Sequence, residues 1–580
     1  MRILLLTHAF NSLAQRLFVE LRGDGHEVSV ELDIADAVTE EAVTLWQPDV
    51  VIAPFLKRRI PESVWSTRLC LVVHPGPPGD RGPSALDWAI ESGAREWGVT
   101  VLQATGEYDA GPVWAWRGFA LRDGATKSSV YRREVVDAAV AAVREALAVC
   151  HRGIRGTRAR AVAGRWRPLM LQDERRIHWS RDASEVVLRH LHAADGSPGV
   201  VDALWGEPVR LFDAHRASED DLRRAPTGEA GAIVARRGPA LLRRTVDGGV
   251  WLGHVRRAGD AAGTQAALKL PATQMFATCA AALPELAVPL QRDAATWDEL
   301  RYREFGDGDA RVGWLDFEFH NGAIGVRQCG RLIAALREVA DRPTRVLMLA
   351  GGADFFCNGI HLHEIEAAQH EAGGSAADAS MAAIEAIDDV VLAILSLTDR
   401  LVVTALRGNA GAGGCFLALA ADAVWCHAGV VQNPHYKNMG NLFGSEYWTY
   451  LLPRRVGEAR AREIMSRRLP MGAREAQALR LVDEVFADNA HDAEAGFEAA
   501  CIARAQALAA DGDHAAKVAA KAARRAADER ARPLADYRAD ELRIMQRNFY
   551  GFDASYHVAR HHFVHRKPHA WTPRHLAVHR

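Results

Sequence analysis

Two segments of this chain repeat one pattern: an apolar run, a glycine-containing turn and a helix-like stretch. Arg345–Ala350 (RVLMLA) runs into GGADFFCNGIHLHEI, and Leu401–Leu406 (LVVTAL) runs into RGNAGAGGCFLALAADAVWC. A strand that feeds a helix through such a turn leaves backbone N–H groups unpaired at the helix start, where the helix dipole favours negative charge. Two such turns facing one point make an oxyanion hole. Just downstream, Gln432–Tyr450 (QNPHYKNMGNLFGSEYWTY) gathers His435, Tyr436, Lys437 and Glu446 among further aromatics. A stretch this dense in titratable groups is either a polar surface patch or the place where chemistry happens.

The paired turns resemble the crotonase (enoyl-CoA hydratase/isomerase) superfamily, FFCNGIHL matching its first oxyanion turn and GNAGAGGC its second. The resemblance implies binding of acyl-coenzyme A thioesters, with the backbone N–H groups of Ile360 and Gly413 on the thioester oxygen. It also implies two catalytic glutamates, and here this chain departs. The first matching position holds Phe416 and the second, in QNPH, holds His435. Water addition to an enoyl-CoA is therefore not expected. The replacement chemistry falls to Tyr436, which can donate a hydrogen bond from an apolar pocket, and to Glu446, whose pKa such a pocket raises. His435 stands beside them as a third candidate. Tyr447, Trp448 and Tyr450 read as packing residues, and Lys437 as a contact to solvent or a phosphate.

The first third of the chain alternates short apolar runs (Arg2–Leu6, Val28–Val30, Asp49–Ala53, Leu71–Val73) with helix-like spacing such as Ser12–Leu21, which predicts a parallel α/β sheet. The first turn, THAFNSLAQ, has no glycine to admit a pyrophosphate, so dinucleotide binding is not expected there. His74 ends a predicted strand and is followed by HPGPPGDRGPSALDWAI, in which Pro83–Ser84 starts a helix. GVTVLQ then leads to GEYDAGPVWA, with Asp109 in an acidic-glycine turn. A histidine and a carboxylate at strand ends can polarise one small carbonyl group; a lone strand-end histidine is more often structural. Together these stretches resemble the folate-dependent formyltransferases, which take a formyl group from 10-formyltetrahydrofolate with an Asn–His–Asp set. His74 matches the histidine and Asp109 the aspartate, while Val72 replaces the asparagine.

His151–Pro168 reads as a solvated basic connector. The segment from Arg176 resembles the small β-rich domain that follows the catalytic domain in methionyl-tRNA formyltransferases, with Ser180 or Asp182 capping a helix that starts near Ala183. Glu498–Arg532 reads as an Ala-rich helix with a solvated Lys/Arg face. His557 and His561 have i,i+4 spacing without an accompanying carboxylate or cysteine, so no metal site is expected.

At 580 residues the chain needs several cores. Domains are expected over 1–165 (Rossmann-like formyltransferase), 166–275 (small β-rich) and 276–580 (crotonase-like), an α/β multidomain protein. A formal charge of −2 argues against nucleic-acid or membrane-surface partners. The N-terminal run reads as a strand rather than a signal peptide, and the scattered cysteines suggest a reduced, cytoplasmic protein.

A formyltransferase-type domain joined to a crotonase-type domain resembles a family of nickel–iron hydrogenase maturation factors, on the strength of HPGPPGDRGPSALDWAI, NPHYKNMG and GSEYWTYLLP. The resemblance implies that the carbon monoxide ligand of the hydrogenase iron is made from the formyl group. That implies 10-formyltetrahydrofolate and coenzyme A as small-molecule substrates and the hydrogenase maturation machinery as a partner. A bifunctional formyltetrahydrofolate hydrolase with an acyl-CoA hydratase or isomerase is one alternative. A non-enzymatic maturation scaffold is the other.

Overall fold

The computed structural model describes residues 1–151, 164–259, 268–486 and 493–580. The chain divides into two compact units, Met1–Gly259 with Pro271–Glu285 and Pro568–Arg580, and Asp260–Leu270 with Leu286–Lys567. Much of the basic connector, 152–163, lies outside the described residues; its far end, Arg165–Trp166, pairs as a short strand with Asp80–Arg81.

In the first unit a six-stranded sheet runs in the order Glu27–Leu32, Arg2–Thr7, Val50–Phe55, Cys70–His74, Glu96–Gln103, Val113–Ala120. The first four strands are parallel, as the alternation with the helices Ser12–Gly23 and Asp36–Trp46 predicts. The expectation of a wholly parallel sheet fails after His74, where the last two strands run antiparallel. The helix between the strand that ends at His74 and the next, Ala85–Glu91, has only seven residues. At about 1.5 Å per residue it is too short to carry the chain back across the sheet, so the next strand sets out from the end where His74 stops. Asn11 caps the first helix by accepting from Ala14 N, as its residue type favours.

The small sheet of this unit is antiparallel, in the order Ile233–Arg237, Ala240–Arg244, Gly249–Arg257, Glu207–Arg216, Val200–Leu204. The helix Ser184–Ala194 packs its Val187, Leu188 and Leu191 on it. Neither Ser180 nor Asp182 caps that helix: Asp182 accepts from His178 N, and Asp247 from the other end of the domain accepts the Ser184 N–H. The tail residues His579 and Arg580 return to bond the fully buried Glu31.

The second unit holds a sheet in the order Leu300–Phe305, Val312–Phe317, Val346–Gly351, Leu401–Leu406, Ala423–His427, Glu484–Phe486, parallel except for its first pair. A smaller sheet, Phe355–Cys357, Asn409–Gly411, Val431–Asn433 and Met471–Gly472, collects the segments that leave the large strands. The repeated strand–turn–helix pattern produces this: each large strand gives a short strand of the small sheet, then a helix, Leu362–Ala368 or Gly413–Leu419. The helix Ala376–Leu395 seals the core with Ile384, Ile387, Val391 and Ile394.

Two expectations for the C-terminal part are corrected. The Ala-rich segment is two helices, Ala493–Ala509 and His514–Ala531, broken at Gly512. Lys521 on the second is buried and donates to Asp422 and to Arg400 O, so that face is not simply solvated. The histidines of the tail also have a carboxylate after all. Glu366 Oε1 lies 3.1 Å from His561 Nδ1 and 3.0 Å from His565 Nε2, while Oε2 accepts from Arg560 at 2.8 Å. The helical pair is His561 and His565 rather than His557 and His561. Glu366, His561 and His565 have the ligand types of a cation site, but Arg560 occupies Oε2 and Gln369 also donates to Oε1 at 2.7 Å, so the carboxylate is already saturated by protein donors.

Candidate functional site

Each unit gathers one set of the residues singled out from the sequence. In the first, His74 ends its strand with the side chain buried. Its Nδ1 lies 3.6 Å from Asp109 Oδ1, an ion-pair separation beyond hydrogen-bond reach. Asp109 sits in the left-handed region (φ 51°) and is fixed by the Gly82 N–H, which donates to Oδ2 at 3.0 Å. The sequence reading missed a second carboxylate. Asp80 Oδ2 is 3.0 Å from His74 Nε2, so the ring is held between two aspartates. The intervening HPGPPGD loop folds back over the strand end, tied by the Thr100 hydroxyl to Gly76 O. Asp80, Arg81, Thr100, Asp109 and Gly111 line a small cavity there. Val72 offers no polar group in place of an asparagine, and nothing in the sequence marked Asp80 beyond its place in a glycine-rich loop.

In the second unit the two turns meet. A Cβ placed on Gly359 would lie 3.6 Å from Gly413 N. Ile360 bridges Ile324 through its neighbours' groups, Gly359 O and His361 N. That alternation turns Ile360's own N–H the other way. Gly413 opens the helix Gly413–Leu419, preceded by Ala412 at φ 47°. Its N–H therefore has no partner within the helix.

Glu446 points its carboxyl at this turn, and a Cβ on Gly413 would collide with Oε1. Its Oε2 accepts from the Tyr436 hydroxyl and, at 3.2 Å, from Ser445 N. Tyr436 stacks on Phe416, rings 5.6 Å apart and 15° from parallel. The residue that stands where a hydratase has glutamate thus braces the tyrosine instead. Gly444, at φ 95°, leaves room for that ring, where any Cβ would overlap it.

Tyr436, Glu446 and His435 are all buried, and the first two form a bonded pair that does not include His435. Burial, then the nearby Asp388 carboxylate, pushes Glu446 up to about 8, against the lowering bonds from Tyr436 and Ser445. Burial and the Glu446 charge raise Tyr436 well above the ordinary phenol value. Two further buried carboxylates surround the pair and were not anticipated: Asp388, pushed up to about 6, and Glu541, up to about 8, in both cases chiefly by burial. The packing role read for Tyr447, Trp448 and Tyr450 agrees with their place in the main core.

The folds and the sites together define a formyltransferase domain joined to an enoyl-CoA hydratase/isomerase-type domain. Residues 21–147 match the formyl transferase family and 319–574 the enoyl-CoA hydratase/isomerase family. Along its whole length the chain is 53% identical to hydrogenase maturation factor HoxX of Bradyrhizobium diazoefficiens, covering 97% of that protein. The crystal structure of HypX from Aquifex aeolicus in complex with tetrahydrofolic acid superposes with a TM-score of 0.93 at 42% identity, covering 100% of this chain and 99% of that one. Over 31% of its length the chain is 27% identical to a methionyl-tRNA formyltransferase of Sorangium cellulosum, of which it covers 58%. The chain belongs to the HypX/HoxX family of hydrogenase maturation factors.

Proposed function

We propose that this protein makes carbon monoxide for nickel–iron hydrogenase maturation from 10-formyltetrahydrofolate, with formyl-CoA as the intermediate. In the first unit the formyl carbon exchanges its bond to folate nitrogen for a bond to the coenzyme A sulfur. The thiol proton passes to the nitrogen through His74, with Asp80 holding the ring at Nε2 and Asp109 facing Nδ1. The folate-bound state of the similar Aquifex protein supports the choice of donor.

In the second unit the formyl-CoA oxygen takes the Ile360 and Gly413 N–H groups. The C–S and C–H bonds break, the sulfur keeps the C–S electron pair, and the formyl hydrogen leaves as a proton. Carbon monoxide and the thiol are the balanced products, with no net oxidation. The observation that carries this reading is the buried Tyr436–Glu446 pair at the second oxyanion turn. Because Oε2 already accepts from Tyr436 and Ser445 N, a neutral Glu446 carries its proton on Oε1, toward the turn. Glu446 gives that proton to the departing sulfur and takes the formyl proton in return, ending as it began. Phe416 and His435 in place of the glutamates count against hydration or isomerisation of a longer acyl-CoA.

Purified protein mixed with 10-formyltetrahydrofolate, with and without coenzyme A, tests the scheme with deoxyhaemoglobin as the trap. Carboxyhaemoglobin that forms only with coenzyme A is expected. Formation indifferent to coenzyme A, or none in its presence, overturns it.

A further inference from the structure

We infer that Asp388, on the helix Ala376–Leu395, is the positioning residue that aims Glu446 at the oxyanion turn. The inference rests on the role given to Glu446 above. Glu446 and Tyr447 are consecutive non-glycine residues in the left-handed region, φ 60° and 57°. Each such residue is strained and persists only where its surroundings over-determine it.

Here the surroundings are two carboxylates from other helices. Asp388 Oδ1 accepts from the Ser445 hydroxyl at 2.5 Å and from Glu446 N at 2.8 Å. Glu541, on the helix Leu534–Tyr550, accepts from Tyr447 N at 3.0 Å and Thr449 N at 2.8 Å. The first contact fixes the backbone of Glu446 itself. It also holds Ser445, whose N–H seats the Glu446 carboxyl. Asp388 is wholly buried, and its other oxygen has no hydrogen-bond partner; the nearest cation atom is Arg538 Nε at 3.6 Å. A core needs no such carboxylate, because burying it costs stability. Its placement is explained by what Oδ1 holds, and by the charge it sets beside Glu446.

Asp388→Asn and Asp388→Ala separate these two effects. The amide oxygen of asparagine can still accept both donors, but the charge is gone. Alanine removes both. Carbon monoxide release from supplied formyl-CoA is the readout, as kcat, KM and pH profile. For D388A, kcat falls about 100-fold, the order expected for misplacing a reacting group, with KM unchanged within about twofold. For D388N, kcat stays within about fivefold, and the alkaline loss of activity sets in at lower pH. The other groups facing Glu446 are unchanged in both variants: Tyr436, Glu541 and the Cys357 and Cys329 thiols, with Arg538 facing Asp388.

D388A at wild-type kcat, or D388N as slow as D388A with an unmoved alkaline limb, overturns the inference. Glu446→Gln in the same assay tells the two readings apart. An active E446Q defeats the role of Glu446, whereas an inactive E446Q beside a fully active D388A defeats only the positioning.

Discussion

Gly413 and Glu446 meet so closely that one methyl group is a test of the site. Gly413→Ala keeps the oxyanion N–H, but its Cβ collides with Glu446 Oε1. Glu446 must move, and CO release from formyl-CoA is expected to drop about 100-fold. The same variant should bind the coenzyme A ester nearly as well, measured by calorimetry. Ordinary kcat in G413A refutes the placement of Glu446. The pH dependence follows from the same pair. In the proposed mechanism a neutral Glu446 is the working form, and burial with the Asp388 charge holds its pKa at about 8. As pH rises through that value the proton is lost and the rate declines, while below it the rate is level. A rate that climbs between pH 7 and 9 assigns Glu446 the opposite role. Tyr436 stays protonated across this window, because burial and the adjacent carboxyl raise it further.

At the scale of elements, the helix Leu362–Ala368 follows the first oxyanion turn and is bonded to the helix Ser555–Val564 through one carboxylate. Glu366 takes Arg560, His561 and His565, and these bonds, working against burial, hold it down to about 2. A carboxylate lowered on folding stabilises the fold at pH above its unfolded value, about 4.5. That stability drains away as pH falls from there toward 2. Glu366→Ala leaves the buried Arg560 without its carboxylate and is expected to cost about 3–5 kcal/mol, read from chemical denaturation. A Tm unchanged in E366A refutes it. This tie was invisible in the sequence for a plain reason. The histidine spacing of the tail pointed to His557 and His561; Glu366, which takes His561 and His565 instead, lies nearly two hundred residues earlier, and its arrival depends on how two helices pack. Local features were legible: Leu401–Leu406 is a strand to the residue, and the Gly-rich turns precede their helices as expected. Non-local ones were not. Asp80, Asp388 and Glu541 carry no local motif and reach the sites only through chain reversal or helix packing. The antiparallel turn after His74 was hidden for the same reason, since it follows from a helix too short to cross a sheet.

For the molecule as a whole, the two sites occupy different compact units with separate cores, so each should fail alone. His74→Ala removes the group between Asp80 and Asp109, all three residues of the first unit. It should therefore release CO from supplied formyl-CoA at the wild-type rate while forming none from 10-formyltetrahydrofolate. Glu446→Gln should do the reverse: tetrahydrofolate appears, CO does not, and formyl-CoA or its hydrolysis product, formate, accumulates with each turnover. Both halves of the comparison are read in one reaction, tetrahydrofolate by absorbance and CO by the haemoglobin trap. The proposed sequence requires this reciprocal pattern, because formyl transfer and carbon–sulfur cleavage share only the intermediate. If H74A makes CO from the folate as fast as the wild type does, the formyl group enters by another route. If E446Q loses folate turnover along with CO, the reaction is not two separable steps.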